Sequence, residues 1–185
     1  MNDSIEVLHV DVNSTSAEFT ATSLERENNR FSVETAPTTD QGLDELAKEE
    51  FDCVVSEYVL ADQNGIEFVR TVREQFPDIP LILYIGERSE KVAIEAISAD
   101  VTDYLQKETG TDQYTVLANT ITNAVESTQS QTKLVERNKK FYRYKQMVNS
   151  MQEAACVYDE SGRFVIVNEY LANWYDTTRE ELQGQ

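Results

Sequence analysis

The sequence predicts an α/β protein built on a doubly wound, five-stranded parallel sheet. Over about the first 125 of the 185 residues, five short apolar runs alternate with five stretches whose apolar residues recur every three or four positions. The first pattern is typical of strands and the second of amphipathic helices. Because the runs are nearly continuous, we expect strands that are buried on both faces, with helices covering both sides of the sheet.

The strands are expected at residues 5–10, 31–35, 52–56, 81–85 and 102–105. The first helix is expected to begin at a capping box formed by Thr15 and Glu18 and to run to about residue 28. Thr38 and Gln41 have the spacing of a cap for the second helix.

The third helix should follow Asn64 and Gly65 and end before Pro77 and Pro80, since proline cannot continue a helix. The last two helices are marked by apolar residues at helical spacing, namely Val92, Ala93, Ala96 and Ile97, then Tyr114, Leu117, Ile121, Ala124 and Val125.

Residues 127–150 contain no glycine or proline and predict a helical linker. Its side chains at spacings of 3-4-3-4-3 form a seam of Leu134, Arg137, Phe141, Tyr144, Val148 and Met151. Such a seam fits either pairing with a second copy of the chain or packing of the linker on its own domain.

Residues 151–185 predict a small α+β segment. A hairpin is expected from strands at 156–158 and 164–167, joined by an acidic turn that contains Gly162. Asn168 should cap a short helix whose Tyr170 and Trp174 we expect to pack into a core, and Thr178 begins another capped segment.

The charge is distributed unevenly along the chain. With 34 acidic and 16 basic residues, the net charge is −18. Residues 1–128 carry 26 acidic and 8 basic residues (−18), residues 129–150 carry 1 and 6 (+5), and residues 151–185 carry 7 and 2 (−5). So acidic a chain argues against a nucleic acid or an anionic membrane as partner.

Neither a signal peptide nor a membrane-spanning run stands out, and we expect a cytoplasmic protein. Cys53 and Cys156 are expected to be buried thiols rather than a disulfide. His9, the single histidine, is expected to be a core residue of the first strand, and no ligand set for zinc is present.

In an open parallel sheet, functional sites form where the strands end. The residues that follow the predicted strands are therefore the candidates: Asp11, Val12, Asn13, Glu57, Tyr58, Gly86, Glu87 and Lys107. No glycine-rich phosphate-binding motif follows a strand, so a dinucleotide-binding or P-loop protein has little support.

Several local motifs resemble those of a response-regulator receiver domain. They are Val10-Asp11, the run from Cys53 to Tyr58, Asn64-Gly65, and the run from Asp103 to Lys107. The run from Met151 to Asn168 resembles the opening of a PAS sensor domain. Together they resemble the receiver–PAS signalling proteins of halophilic archaea. The resemblance implies a flavodoxin-like receiver at residues 1–126, a linker at 127–150 and a truncated PAS segment at 151–185.

The receiver resemblance implies two-component (phosphorelay) signalling and assigns a role to each edge residue. Glu57 stands at the phosphoacceptor position, where the family has aspartate. Asp11 is the acidic residue that would help to hold Mg²⁺, but Val12 replaces the second one. Lys107 would contact the phosphoryl group, while Ile85 and Tyr104 occupy the two switch positions.

The three departures, at Glu57, Val12 and Ile85, lead us to expect a degenerate pseudo-receiver that acts by protein–protein contact. We expect no enzymatic activity and no cofactor, and Mg²⁺ held by Asp11 is the one exception that the resemblance leaves open. Glu57 could reach toward Lys107 and imitate a phosphorylated aspartate, or it could be a relic. The alternatives are a phosphorylatable Mg²⁺-dependent receiver, a ligand-binding PAS module, or a DNA-binding regulator whose helix-turn-helix is absent.

The expected partners are a sensor histidine kinase or another signalling protein. A homodimer through the linker helix, or through the face made by the fourth and fifth helices, is the other expected contact. The acidic composition is expected to suit a salty cytoplasm. The abrupt stop at Gln185 is expected to reflect truncation of a longer protein.

Overall fold

The computed structural model describes residues 4–61, 63–86 and 90–185, which form two compact units, Met1–Ser130 and Gln131–Gln185. The first unit is the expected parallel sheet, with strand order β2-β1-β3-β4-β5. Its strands are β1 (Ile5–Val10), β2 (Phe31–Ala36), β3 (Cys53–Ser56), β4 (Leu81–Ile85) and β5 (Asp103–Gln106). Its helices are α1 (Ser14–Glu27), α2 (Thr39–Lys48), α3 (Gly65–Gln75), α4 (Glu90–Ser98) and the start of α5 (Asp112–Ser150). The predicted fold class is confirmed.

Two apolar layers cover the two faces of this sheet, because neighbouring residues of a strand point to opposite sides. Leu8, Val54 and Leu83 pack on one side with residues of α2, α3 and α4. Val55 and Ile82 pack on the other side with residues of α1 and α5. The sheet is therefore buried on both faces, as its continuous apolar runs predict.

The helix starts agree with the sequence at α2 and α3 but not at α1. Thr38 accepts a hydrogen bond from the backbone N–H of Gln41, as predicted. The predicted capping box of Thr15 and Glu18 is wrong. Asn13 has an extended backbone and accepts the N–H of Ser16, so the helix has already begun at Ser14.

The second unit contains the rest of α5, the antiparallel strands β6 (Cys156–Tyr158) and β7 (Phe164–Val167), and the short helices α6 (Glu169–Trp174) and α7 (Arg179–Leu182). The predicted hairpin and the caps at Asn168 and Thr178 are confirmed. Asn168 is fully buried and holds the unit together, since its amide also bonds backbone atoms of Glu153 and Ala155.

Three burial predictions in the second unit are wrong. Trp174 is 81% exposed and Tyr170 is 51% exposed, because the small core of this unit, around Val167 and Leu171, does not extend to their rings. Cys156 is half-buried, whereas Cys53 is buried as predicted. In the described ranges, no helix combines the length and the hydropathy needed to cross a membrane.

Candidate functional site

Asp11, Glu57 and Lys107 meet at the carboxyl edge of the sheet. Val10 pairs with Ser56 in the register of β1 and β3, so the next residues, Asp11 and Glu57, leave the sheet side by side. Lys107 follows β5, and its backbone N–H donates to the carbonyl of Ile85 at 2.6 Å. The parallel topology thus brings together three residues that lie up to 96 positions apart in the sequence.

The Lys107 ammonium group lies between the two carboxylates. Its Nζ is 3.2 Å from Oδ2 of Asp11 and makes a direct ion pair with Oε2 of Glu57. The remaining oxygens accept backbone N–H groups at 2.8 Å, Oδ1 of Asp11 from Asn13 and Oε1 of Glu57 from Tyr58. All four carboxylate oxygens therefore already have a donor.

Burial makes these contacts strong. The side chains of Asp11, Glu57 and Lys107 are 3%, 11% and 24% exposed. Burial alone would raise the pKa of Asp11, but the N–H of Asn13 and the charge of Lys107 lower it below its ordinary value. Burial alone would lower the pKa of Lys107, but Glu57 and then Asp11 raise it above its ordinary value. The lysine is consequently held in its charged form.

The backbone around Glu57 is tightly constrained. Its N–H donates to the carbonyl of Val10, and the N–H of Gly65 donates to the carbonyl of Tyr58. A Cβ atom on Gly65 would lie 2.5 Å from the Glu57 carbonyl oxygen, so only glycine fits there. The start of α3 thus clamps the segment that presents the Glu57 carboxylate.

The side chains of the other predicted site residues form no ion pair with this cluster, although Val12 and Ile85 line the same cleft. Val12 is 45% exposed at the mouth of a cleft of about 670 Å³ that contains the cluster. Ile85 is buried in the core beneath it, and Tyr104 is half-buried against the same core. Gly86 lines the cleft, and Glu87 lies outside the described residues.

The donor set does not fit a magnesium ion. Mg²⁺ needs several oxygen ligands in near-octahedral geometry. Among the described residues that line the cleft, Asp11 and Glu57 are the acidic ones, and both are already bonded to Lys107. Among the described residues, no group of three or more His, Cys, Asp or Glu side chains could hold a metal.

Sequence reasoning missed Tyr84 as a neighbour of this site. Its ring centroid lies 5.3 Å from Nζ of Lys107, and its hydroxyl donates to Gln113 at 2.6 Å. Burial raises the pKa of Tyr84, so the ring stays neutral under the ammonium group. Because Tyr84 lies within the apolar run of β4, the sequence pattern indicates a core residue and does not reveal its contact with Lys107.

Comparison with known proteins agrees with this arrangement. A family model described as response regulator receiver domain matches residues 7–119. The KDP operon transcriptional regulatory protein KdpE of Escherichia coli (strain K12) is 36% identical over 92 residues, which cover 50% of this chain and 40% of that protein. The transcriptional regulatory protein ZraR of Klebsiella oxytoca is 30% identical over 67 residues, covering 36% of this chain and 15% of that protein.

Solved structures share the fold at lower identity. The receiver domain protein (CheY-like) of Methanospirillum hungatei JF-1 gives a TM-score of 0.62 at 22% identity and covers 69% of this chain and 98% of that one. A receiver domain protein of Clostridium thermocellum gives 0.60 at 22%, covering 71% and 98%.

The family match spans well over half of the chain, and the ion cluster lies within it. Proteins of this family are signalling modules that interact with sensor histidine kinases or other signalling proteins. The chain therefore belongs to the response regulator receiver domain family of two-component signalling.

Proposed function

We propose that this chain is a pseudo-receiver, which transmits a signal by protein contact and not by phosphorylation. The ion pair between Glu57 and Lys107 carries the proposal. In this family, the lysine after the fifth strand would contact a phosphoryl group, but here it is already bonded to the side chain at the acceptor position. Glu57 thus supplies permanently the negative charge that phosphorylation would add.

The neighbouring residues support the same proposal. A phosphoryl group carries several negative charges that a metal ion and hydroxyl donors would need to balance. Val12 offers no oxygen ligand, and Ile85, with 2% exposure, is part of the core and offers no hydroxyl group. Phosphorylation of Glu57 would also require its carboxylate to break the ion pair with Lys107.

The contact surface is proposed to include α4. Ile94 and Ile97 are 59% and 79% exposed on this helix, although both are large apolar residues. They are three residues apart and so lie on one side of the helix. A partner such as a sensor histidine kinase would bury them. The face between α4 and α5 could equally serve a second copy of the chain.

We further propose the domain organisation that the resemblance implies. Residues 1–126 would be the pseudo-receiver, 127–150 the linker and 151–185 the opening segment of a PAS domain, supported by the hairpin β6–β7 and the capped helix α6. The net charge of −18 supports a halophilic protein working in a salty cytoplasm. The chain spans less than half the length of the curated relatives that it matches, so the activity of the whole protein belongs to this proposal too.

Incubation with acetyl phosphate and Mg²⁺, followed by intact mass spectrometry, tests the loss of phosphorylation. The natural chain should gain no phosphoryl group. The matched control is the triple variant Glu57→Asp, Val12→Asp, Ile85→Thr, which restores the acceptor, the second acidic residue and the hydroxyl. The variant should gain one phosphoryl group. A stable phosphoryl adduct on the natural chain would overturn the proposal.

A second experiment separates a fixed signalling state from a relic. Glu57→Gln keeps the shape of the side chain but removes its charge, so Lys107 loses one of its two partners. Hydrogen exchange at β5 and α4 should then become faster, because Lys107 follows β5 directly. Glu18→Gln, an exposed position on α1, is the control. Identical exchange in the natural chain and the Glu57→Gln variant would indicate a relic.

A further inference from the structure

A second groove, of about 720 Å³, lies at the opposite edge of the sheet from the ion cluster. Its walls come from the segments that precede β3 and β4 and from residues 125–129 of α5. The floor is apolar and includes Leu46, Phe51, Phe76, Ile79 and Val125. Nothing in the proposed function uses this groove.

The rim of the groove is acidic. It carries Glu6, Glu49, Glu50, Asp52 and Asp78, and no lysine or arginine is found among the described residues that line it. The effect reaches the neighbouring Glu34, whose pKa is raised by burial and then by the charges of Glu49, Glu45 and Glu6. A cationic side chain placed here would relieve this repulsion.

A complementary surface exists on residues 133–144 of α5. Lys133, Arg137 and Lys140 share one face of the helix with Glu136, Phe141 and Tyr144, and all six are exposed, so the three cations outnumber the single carboxylate. At 1.5 Å per residue this stripe is about 17 Å long. It presents cations and aromatic rings together, which are the groups that an apolar groove with an acidic rim accepts.

We infer that the groove binds the 133–144 stripe of a second copy of this chain. The aromatic rings would cover the apolar floor, while the three cations would face Glu49, Glu50 and Asp78. Two copies can exchange stripes reciprocally, and this closes a symmetric dimer with two equal contacts. Pairing of stripe with stripe in parallel would instead bring like charges together, which is unfavourable.

Charge reversal tests the groove. The groove variant combines Glu49→Lys, Glu50→Lys and Asp78→Lys. Its rim repels the stripe, while the stripe itself is unchanged. The natural chain should sediment as a dimer, and this variant should dimerise roughly a hundredfold more weakly, because like charges across an interface oppose binding. The control Glu18→Lys, Asp44→Lys, Glu74→Lys makes the same change in net charge elsewhere and should remain dimeric. Circular dichroism should confirm that every variant is folded at the salt concentration used.

The reciprocal variant is Lys133→Glu, Arg137→Glu, Lys140→Glu. Alone it should be monomeric, but mixed with the groove variant it should form a heterodimer, since each stripe then meets a groove of opposite charge. A natural chain that is monomeric, or a groove variant that stays as dimeric as the natural chain, would overturn the inference. Binding of residues 133–144 to anionic vesicles in a sample that contains no dimer would favour a membrane partner. That result would also overturn the inference.

Discussion

His9 should make the receiver less stable as the pH falls from 6.5 toward 4. Its side chain is fully buried in β1. Burial lowers the pKa of His9 from 6.5 to about 4, although the nearby charge of Asp11 acts in the opposite direction. The folded chain thus keeps this imidazole neutral over a range in which the unfolded chain protonates it.

The sign and size of the effect follow from this difference. Between the two pKa values the unfolded state binds more protons, so acidification favours unfolding. The contribution of neutral His9 to the free energy of unfolding is complete above pH 6.5. It is lost as the pH falls to the pKa of His9 in the folded chain. A shift of about 2.5 units at 1.36 kcal/mol per unit amounts to about 3 kcal/mol, of which about 2.5 kcal/mol should be lost by pH 4.5.

Urea unfolding of the natural chain and of His9→Leu, at pH 7 and at pH 4.5, measures this loss. Leucine is apolar and of similar size, and it cannot titrate. The chain has a single histidine, and most carboxylates titrate below this range, so the comparison isolates His9. The natural chain should lose about 2.5 kcal/mol more than the variant. Equal losses in the two proteins would refute the reasoning.

Three other predictions concern the ion cluster, the clamp and the charge. Lys107→Met leaves two buried carboxylates without their shared cation and should cost about 3 kcal/mol in urea unfolding, whereas Lys48→Met, at an exposed pair, should change stability little. Gly65→Ala forces a Cβ atom against the Glu57 carbonyl and should lower the free energy of unfolding by about 2 kcal/mol. In Gly86→Ala the Cβ atom enters open space, so stability should hardly change; equal losses in the two variants would contradict the clamp. The melting temperature should rise steeply with KCl, because at about 1 M salt the screening length is about 3 Å; a melting temperature unchanged between dilute and molar salt would contradict a halophilic adaptation.

The sheet and the meeting of the site residues could be predicted because they depend on simple patterns. β1 and β4 begin and end where expected, since each is a mainly apolar run and β4 is bounded by Pro80 and Gly86. Because parallel strands end at one edge of a sheet, the sequence predicts that Asp11, Glu57 and Lys107 lie close together. The suggestion that Glu57 reaches toward Lys107 agrees with the ion pair, while the roles of these residues stay predictions.

Other features depend on competition or on neighbours that a sequence pattern does not reveal. Asn13 and Thr15 are both good helix caps, and the choice depended on which one adopted the extended backbone. Periodicity shows that Trp174 lies on an apolar face but not whether anything covers that face. The same holds for the linker seam, where Val148 is buried but Leu134 and Tyr144 are exposed, so periodicity alone does not decide between the two interpretations of the seam.

The continuity of α5 restricts how this protein can change in length. The helix runs for 39 residues from Asp112 to Ser150 without a glycine or proline. One inserted residue would turn every later side chain of the helix by about 100° around the helix axis. Seven inserted residues would restore the direction to within about 20°. Related proteins that keep the direction of the side chains along α5 should therefore differ in linker length by multiples of seven residues, which make about two helical turns.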